Sequence, residues 1–259
     1  MLIGATNRPE SDTLQEMRWI GEQGFAYVDL QLEAPAATSD RIDAAAVRSL
    51  LSGLNLAIIV RAASDLPVAH AYGRVRRAAL DELRRSADLA AELGGKLLVT
   101  RFQHWPDWMG DDAGVELYGQ LYDILCPHGS AAGVVVAIEN HPHNTHQLKR
   151  LRRLFQRSPA LRLALNVGHA NIQVPKNQTR EFLFDMGDRL INVYVSDNDG
   201  ASNDHLPLGA VGHGGVDWQR EVSNFRAFGY DRTVTLEVNG DRRWLLASRV
   251  YLQELWAKD

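Results

Sequence analysis

The sequence predicts a single (β/α)8 barrel, the α/β class in which parallel strands form a closed inner sheet and helices cover it. Three observations predict it. The chain has 259 residues, the size such barrels take when insertions are few. Short apolar β runs alternate with longer amphipathic segments along its whole length. No Pro/Ser/Gly linker, charge block or low-complexity stretch divides it, so residues 1–259 read as one domain.

The elements follow in order. A first strand, Leu2 to Thr6, precedes a helix from about Thr13 to Gln23. Strand two, Ala26 to Leu32, leads to a helix from about Ile42 to Leu51, and strand three runs from Leu56 to Arg61. The longest helix repeats Val75, Ala79, Leu80, Leu83, Ala87, Ala90 and Leu93 at helical spacing and stops at Gly94-Gly95. Strand four, Lys96 to Phe102, is followed by a helix from about Gly114 to Cys126, and strand five is Val134 to Glu139. Strands six, seven and eight are Leu161 to Asn166, Ile191 to Ser196 and Thr233 to Val238. Asp217 reads as the cap of a seventh helix starting at Trp218, and the last helix closes near Trp256. Strict alternation implies a parallel sheet. An open doubly wound sheet would carry a glycine-rich phosphate loop after its first strand; Gly4-Ala5-Thr6-Asn7-Arg8-Pro9 is not one.

Bulk properties narrow the function classes. A net charge of −4 argues against a nucleic-acid partner, which favours a basic balance. The apolar runs fall short of the ~20 residues a membrane span needs, and Met1-Leu2-Ile3-Gly4 enters a strand with no signal-peptide pattern. The single cysteine, Cys126, excludes an intrachain disulfide and suits a reducing compartment. Set in the apolar run from Leu121, it reads as a small buried hydrophobe. The expectation is a cytoplasmic protein acting on a small molecule, with no nucleic acid and no membrane. Pairing of barrel faces into a homo-oligomer is left open, because no stretch marks an interface.

Active sites of such barrels sit at the C-terminal strand ends, so those ends form a chemical map. In strand eight, Val234, Leu236 and Val238 share one face; Thr233, Thr235, Glu237 and Asn239 share the other. A carboxylate on the inner face is costly to bury unless paired or bound. Glu237 is therefore either a functional carboxylate or one arm of a structural salt bridge. Strand five ends in Glu139-Asn140-His141-Pro142, and strand six in Asn166-Val167-Gly168-His169. After strand seven, with Tyr194, comes a polar loop from Ser196-Asp197-Asn198-Asp199-Gly200 to His205-Leu206-Pro207-Leu208-Gly209, longer than an ordinary βα connection. Strands three and four end at Arg61 and Arg101. Phe102, His104, Trp105, Trp108 and Met109 make an aromatic loop that reads equally as a lid stacking on substrate or as a hydrophobic cover. His141, His143 and His146 read as a solvated loop, although their spacing also allows a metal.

The strings Val136-Ala137-Ile138-Glu139-Asn140, Gly168-His169, Ser196-Asp197-Asn198-Asp199-Gly200 with His205-Leu206-Pro207-Leu208-Gly209, and Leu236-Glu237 resemble the xylose-isomerase-like TIM barrels. That superfamily includes sugar-phosphate isomerases and epimerases and the endonuclease IV group. The resemblance implies a divalent metal (Mn, Mg, Co or Zn) held by Glu on strand five, Asp on strand six, His on strand seven and Glu on strand eight. Glu139 and Glu237 match; Asn166 stands where the Asp is expected and Tyr194 where the His is expected. The seventh loop's Asp-x-His reads Asn203-Asp204-His205, and Arg61 and Arg101 occupy strand ends where metal-rich relatives often carry His.

Three functions compete on these residues. In the first, an isomerase or epimerase acts on a small polyol, keto-sugar or hydroxy-carbonyl compound. Glu139 and Glu237 pass a proton beside the carbonyl as a coupled pair. Arg61, Arg101, Asn166, His169, Tyr194, His205 and Trp105 are its candidate substrate-binding residues, the arginines suited to an anionic group. In the second, the altered centre runs a lyase, dehydratase or cyclisation step. In the third, a ligand-binding or partner subunit has lost its metal. Too few metal ligands remain for a repair nuclease.

Overall fold

The computed structural model describes every residue except 107, 144, 145, 213, 258 and 259. Its sheet is a closed barrel of strands in the order β1 to β8: β1 Leu2–Thr6, β2 Tyr27–Gln31, β3 Ala57–Arg61, β4 Leu97–Arg101, β5 Val135–Glu139, β6 Arg162–Asn166, β7 Leu190–Val195 and β8 Thr233–Leu236. The helices are α1 Thr13–Glu22, α2 Ala44–Leu54, α3 Gly73–Glu92, α4 Asp111–Ala131, α5 Gln147–Arg157, α6 Thr179–Met186, α7 Trp218–Ala227 and α8 Arg242–Ala257. The predicted α/β barrel is thus the observed one. Among the described residues no helix is long and apolar enough to cross a membrane.

Two compact units make up the chain. One comprises Ala5–Glu139 and Lys149–Arg162; the other comprises Met1–Gly4, Asn140–Leu148 and Leu163–Asp259. In the first, β2 pairs parallel with β3 from Tyr27↔Ala57 to Gln31↔Arg61, and β4 with β5 from Leu97↔Val135 to Arg101↔Glu139. In the second, β7 pairs with β6 through Asn166↔Tyr194 and with β8 through Tyr194↔Thr235.

Helix boundaries follow local chemistry. Asp12, Asp43 and Asp217 accept from the backbone N–H of Gln15, Ala46 and Arg220, satisfying donors that a helix start leaves open. Asp217 caps α7 as its sequence predicts; Asp43 starts α2 slightly later than Ile42. α3 buries Ala79, Leu83, Ala87 and Ala90, one stripe of the predicted pattern. α4 extends past Cys126 through Pro127 to Ala131, and Gly129 is the buried residue of that last stretch. Cys126 is buried as expected, and burial pushes its thiol up to about 11. The sequence reading defined neither α5 nor α6. α5 is Arg-rich and strongly amphipathic, and α6 is only eight residues long.

The aromatic loop after β4 packs into the first unit. Trp105 is 2% exposed, lies edge-on to Phe102 and has the Arg150 guanidinium 4.4 Å over its ring. A Cβ at Gly114 of α4 would stand 2.1 Å from that ring, so glycine is required by the close approach. Burial would raise the carboxyl pKa of Asp111, but hydrogen bonds from Arg150 and Lys149 hold it below the usual range. Trp108 is exposed.

Gly114→Ala should destabilise the fold by about 1–3 kcal/mol through overpacking, read as a lowered urea midpoint with altered tryptophan emission. In α7, burial raises the Glu221 carboxyl, with Arg220 and Asn224 offsetting part of the effect. A raised carboxyl binds its proton more tightly in the folded state, so its contribution to stability is lost as pH rises through the folded pKa. Glu221→Gln should therefore gain in Tm relative to the parent at neutral pH, and the gain should shrink as pH falls through the raised folded-state pKa and be gone below the ordinary glutamate value of 4.5.

Candidate active site

Period-two alternation in β2 puts Asp29 and Gln31 on one face, and the register with β3 brings Gln31 beside Arg61. Arg61 is 2% exposed; Gln31 Oε1 accepts from its Nη2 at 2.8 Å, and its Nε lies 3.8 Å from Asp29. Its Nη1 lies 3.6 Å from Glu139 Oε2, and Arg101 Nη2 lies 3.5 Å from the same oxygen. Asp29 and Glu139 are fully buried. Each buried carboxylate thus has a guanidinium close by, which offsets the cost of desolvating it. The Arg101 side chain is 18% exposed, against 2% for Arg61.

The second unit gathers a different set. Asn140 Oδ1 accepts from the Asn166 N–H, and Asn140 Nδ2 donates to the Asn166 carbonyl at 3.0 Å. Asn166 Oδ1 accepts from the His169 N–H at 3.1 Å, which turns Asn166 Nδ2 toward Glu237 Oε2 at 3.0 Å. His169 Nδ1 lies 2.6 Å from the Asn140 carbonyl oxygen. A carbonyl only accepts, so Nδ1 carries the proton and Nε2 is the basic nitrogen of the neutral ring. Gly168 permits this turn: a Cβ there would lie 2.8 Å from Ser196 Oγ.

His205 reaches the group from the long loop after β7. Asp197 ties that loop down, accepting from the N–H of Asn198 and Val216 through Oδ1 and of Gly209 through Oδ2. Backbone bonds in both directions join Asp197 and Leu206. His205, at φ 51°, has Nδ1 3.5 Å from Glu237 Oε2 and 3.3 Å from Ser196 Oγ. His169, His205 and Glu237 offer ligand atoms within 4.8 Å of one another. Tyr194 is buried on β7 beside Asn166 in register.

The predicted site residues therefore fall into two groups: Arg61, Arg101 and Glu139 in one unit, Asn166, His169, His205 and Glu237 in the other. Trp105 belongs to the packed aromatic cover. Sequence reasoning passed over Asp29 and Gln31, although their alternation in Tyr27-Val28-Asp29-Leu30-Gln31 marks a polar inner face. It also gave Asn140 no role, and side-chain pairing with a distant backbone leaves no local pattern.

The implied metal set does not fit these residues. Glu139 meets two guanidiniums, a poor place for a further cation. Asn166 presents an amide N–H, not an oxygen, toward Glu237, and an N–H is no ligand. Tyr194 supplies a buried phenol where the resemblance implies an imidazole.

The chain belongs to the xylose isomerase-like TIM barrel family, which matches residues 17–257. It is 24% identical to the uncharacterized protein MJ1311 of Methanocaldococcus jannaschii, covering 95% of this chain and 85% of that one. Its structure resembles that of a D-tagatose 3-epimerase-like protein, with a TM-score of 0.86, 22% identity and coverage of 98% and 97% of the two chains. It also resembles the 3-keto-D-glucoside 4-epimerase YcjR of E. coli, with a TM-score of 0.76, 20% identity and 98% of each chain covered.

Arg61→Met should cost about 3–5 kcal/mol, because it leaves Asp29 and Glu139 buried with one guanidinium fewer. Equilibrium urea unfolding checks this, and a loss below 1 kcal/mol would show that the group relaxes into water.

Proposed function

We propose that the protein is an isomerase or epimerase acting on a small keto-sugar or related hydroxy-carbonyl compound. The observation that carries the reading is Glu237, 7% exposed just past the end of β8, steered by Asn166 and bordered by two imidazoles. Membership of a sugar-isomerase superfamily and likeness to two epimerase-type barrels support it.

The chemistry is proton transfer at the carbon beside a carbonyl. A carboxylate takes the C–H proton, electron density moves onto the carbonyl oxygen, and the proton returns from the same or the opposite face. Glu237 is one such carboxylate. Glu139, at the end of β5, is the second to which proton transfer is assigned. His169 and His205 suit hydroxyl and carbonyl oxygens, since each ring nitrogen either donates or accepts. Arg101, whose side chain is part-exposed, has the charge to suit an anionic substituent or a developing enolate. The metal set named above enters no step.

A second reading keeps the proton abstraction and ends in elimination. The two guanidiniums at Glu139 favour it, because permanent positive charge stabilises an enolate long enough to lose a β-hydroxyl.

In deuterium oxide, mass spectrometry of a ketose panel should show label at the carbon beside the carbonyl. Glu237→Gln and Glu139→Gln should each slow the incorporation by about 10²–10⁴-fold, the usual worth of a positioned acid or base. Exchange at the parental rate in both variants would overturn the assignment, and a dehydrated product would select the second reading.

A further inference from the structure

We propose that the first unit carries a binding site for a small carboxylate with a ring-sized apolar body, in the cavity between α3, α4 and the loop after β3. The cavity has a volume of about 160 Å3, room for one aromatic ring. It shares no residue with the candidate active site.

Its walls are of two kinds. Val68 from the loop, Leu80 from α3, and Leu117, Leu121 and Ile124 from α4 make an apolar floor. Ile124 is 40% exposed, so the helices leave part of that floor open to water, and covering it with a ring is favourable. The charged part of the wall is Arg76 and Arg77, and among the described residues no carboxylate lines the cavity.

The two guanidiniums converge on one place. A Cβ built on Gly73 would lie 3.7 Å from Arg76 Nη2 and 3.7 Å from Arg77 Nη1. Like charges brought to one point repel unless an anion lies between them. The chain supplies none. Arg76 Nη1 donates to the carbonyls of His70 and Ala71, which are neutral acceptors. Arg77 makes no hydrogen bond or ion pair among the described residues. The acids that follow in α3, Asp81 and Glu82, lie against Arg84 and Arg85 instead, and Glu116 of α4 is taken by Arg157. The first turn of α3 holds no acidic residue, so the positive end of the helix adds to the same uncompensated charge.

These features select the ligand. With Nη1 already engaged, Arg76 has Nη2 for one oxygen, and Arg77 meets the other; two guanidinium edges match the two oxygens of a carboxylate. The floor takes the apolar body. A bare anion leaves the floor wet, and a neutral ring leaves the charges unanswered.

Phenylacetate is the test ligand. Saturation-transfer NMR on the full chain should show saturable binding with a Kd on the order of 1 mM, ordinary for so small a molecule. Phenylacetamide keeps the ring without the charge, and acetate keeps the charge without the ring. Each should bind at least about tenfold more weakly. Arg77→Gln, an exposed substitution, should weaken phenylacetate binding by about tenfold with Tm unchanged. Leu117→Trp, which fills the floor, should abolish binding while circular dichroism stays that of the folded chain. No saturable binding at about ten times the expected Kd overturns the proposal. So does equal affinity for phenylacetate and phenylacetamide, and so does unchanged binding in both variants, which would place the ring elsewhere.

Discussion

Away from water, a polar group must find its partner within the chain, and the Asn140–Asn166 pair meets that demand for much of its unit. Each amide atom of Asn140 answers a backbone group of Asn166. The Asn166 side chain in turn answers the His169 backbone and the Glu237 carboxylate. The Asn140 carbonyl closes the circuit by fixing the proton on His169. An unanswered amide here would cost on the order of 1–3 kcal/mol, so orientation of the imidazole and of the carboxylate comes with the fold. The order of the loop after β7 has the same origin: Asp197 accepts three backbone N–H groups, and His205 is held between that anchor and the end of β8.

The two units solve the burial of acid differently. Glu139 and Asp29 sit beside the guanidiniums of Arg61 and Arg101, charge against charge. Glu237 is satisfied by an amide and neighboured by an imidazole, groups whose hydrogens rearrange. The first arrangement surrounds its acids with permanent positive charge, and the second surrounds its acid with groups that exchange hydrogens. This contrast gives Glu139 and Glu237 different chemical characters, although the sequence presents both simply as a glutamate at a strand end.

Much of the fold was legible because closure of parallel strands imposes a repeating pattern. The apolar runs of all eight strands and the aspartate cap of α7 are local signals, and each lies where its residues indicate. α5 and α6 escaped, one masked by arginines and the other by brevity. In the site, strand-end residues were legible because position along a strand sets the side chain's direction. What the sequence concealed were pairings across long separations: Arg61 with Asp29 and Gln31, and Asn140 with Asn166. Trp105 shows the reverse case. Its composition-based reading left a lid and a cover equally open, and only the glycine at position 114 and the arginine at position 150 reveal how tightly it is enclosed.

Arg61 and Arg101 have one further consequence. The positive charge that they bring to Glu139 is synthesised with the polypeptide. It needs no loading step, is not stripped by chelators, and does not compete with other proteins for a scarce nutrient. Starvation for trace elements leaves that end of the molecule unchanged.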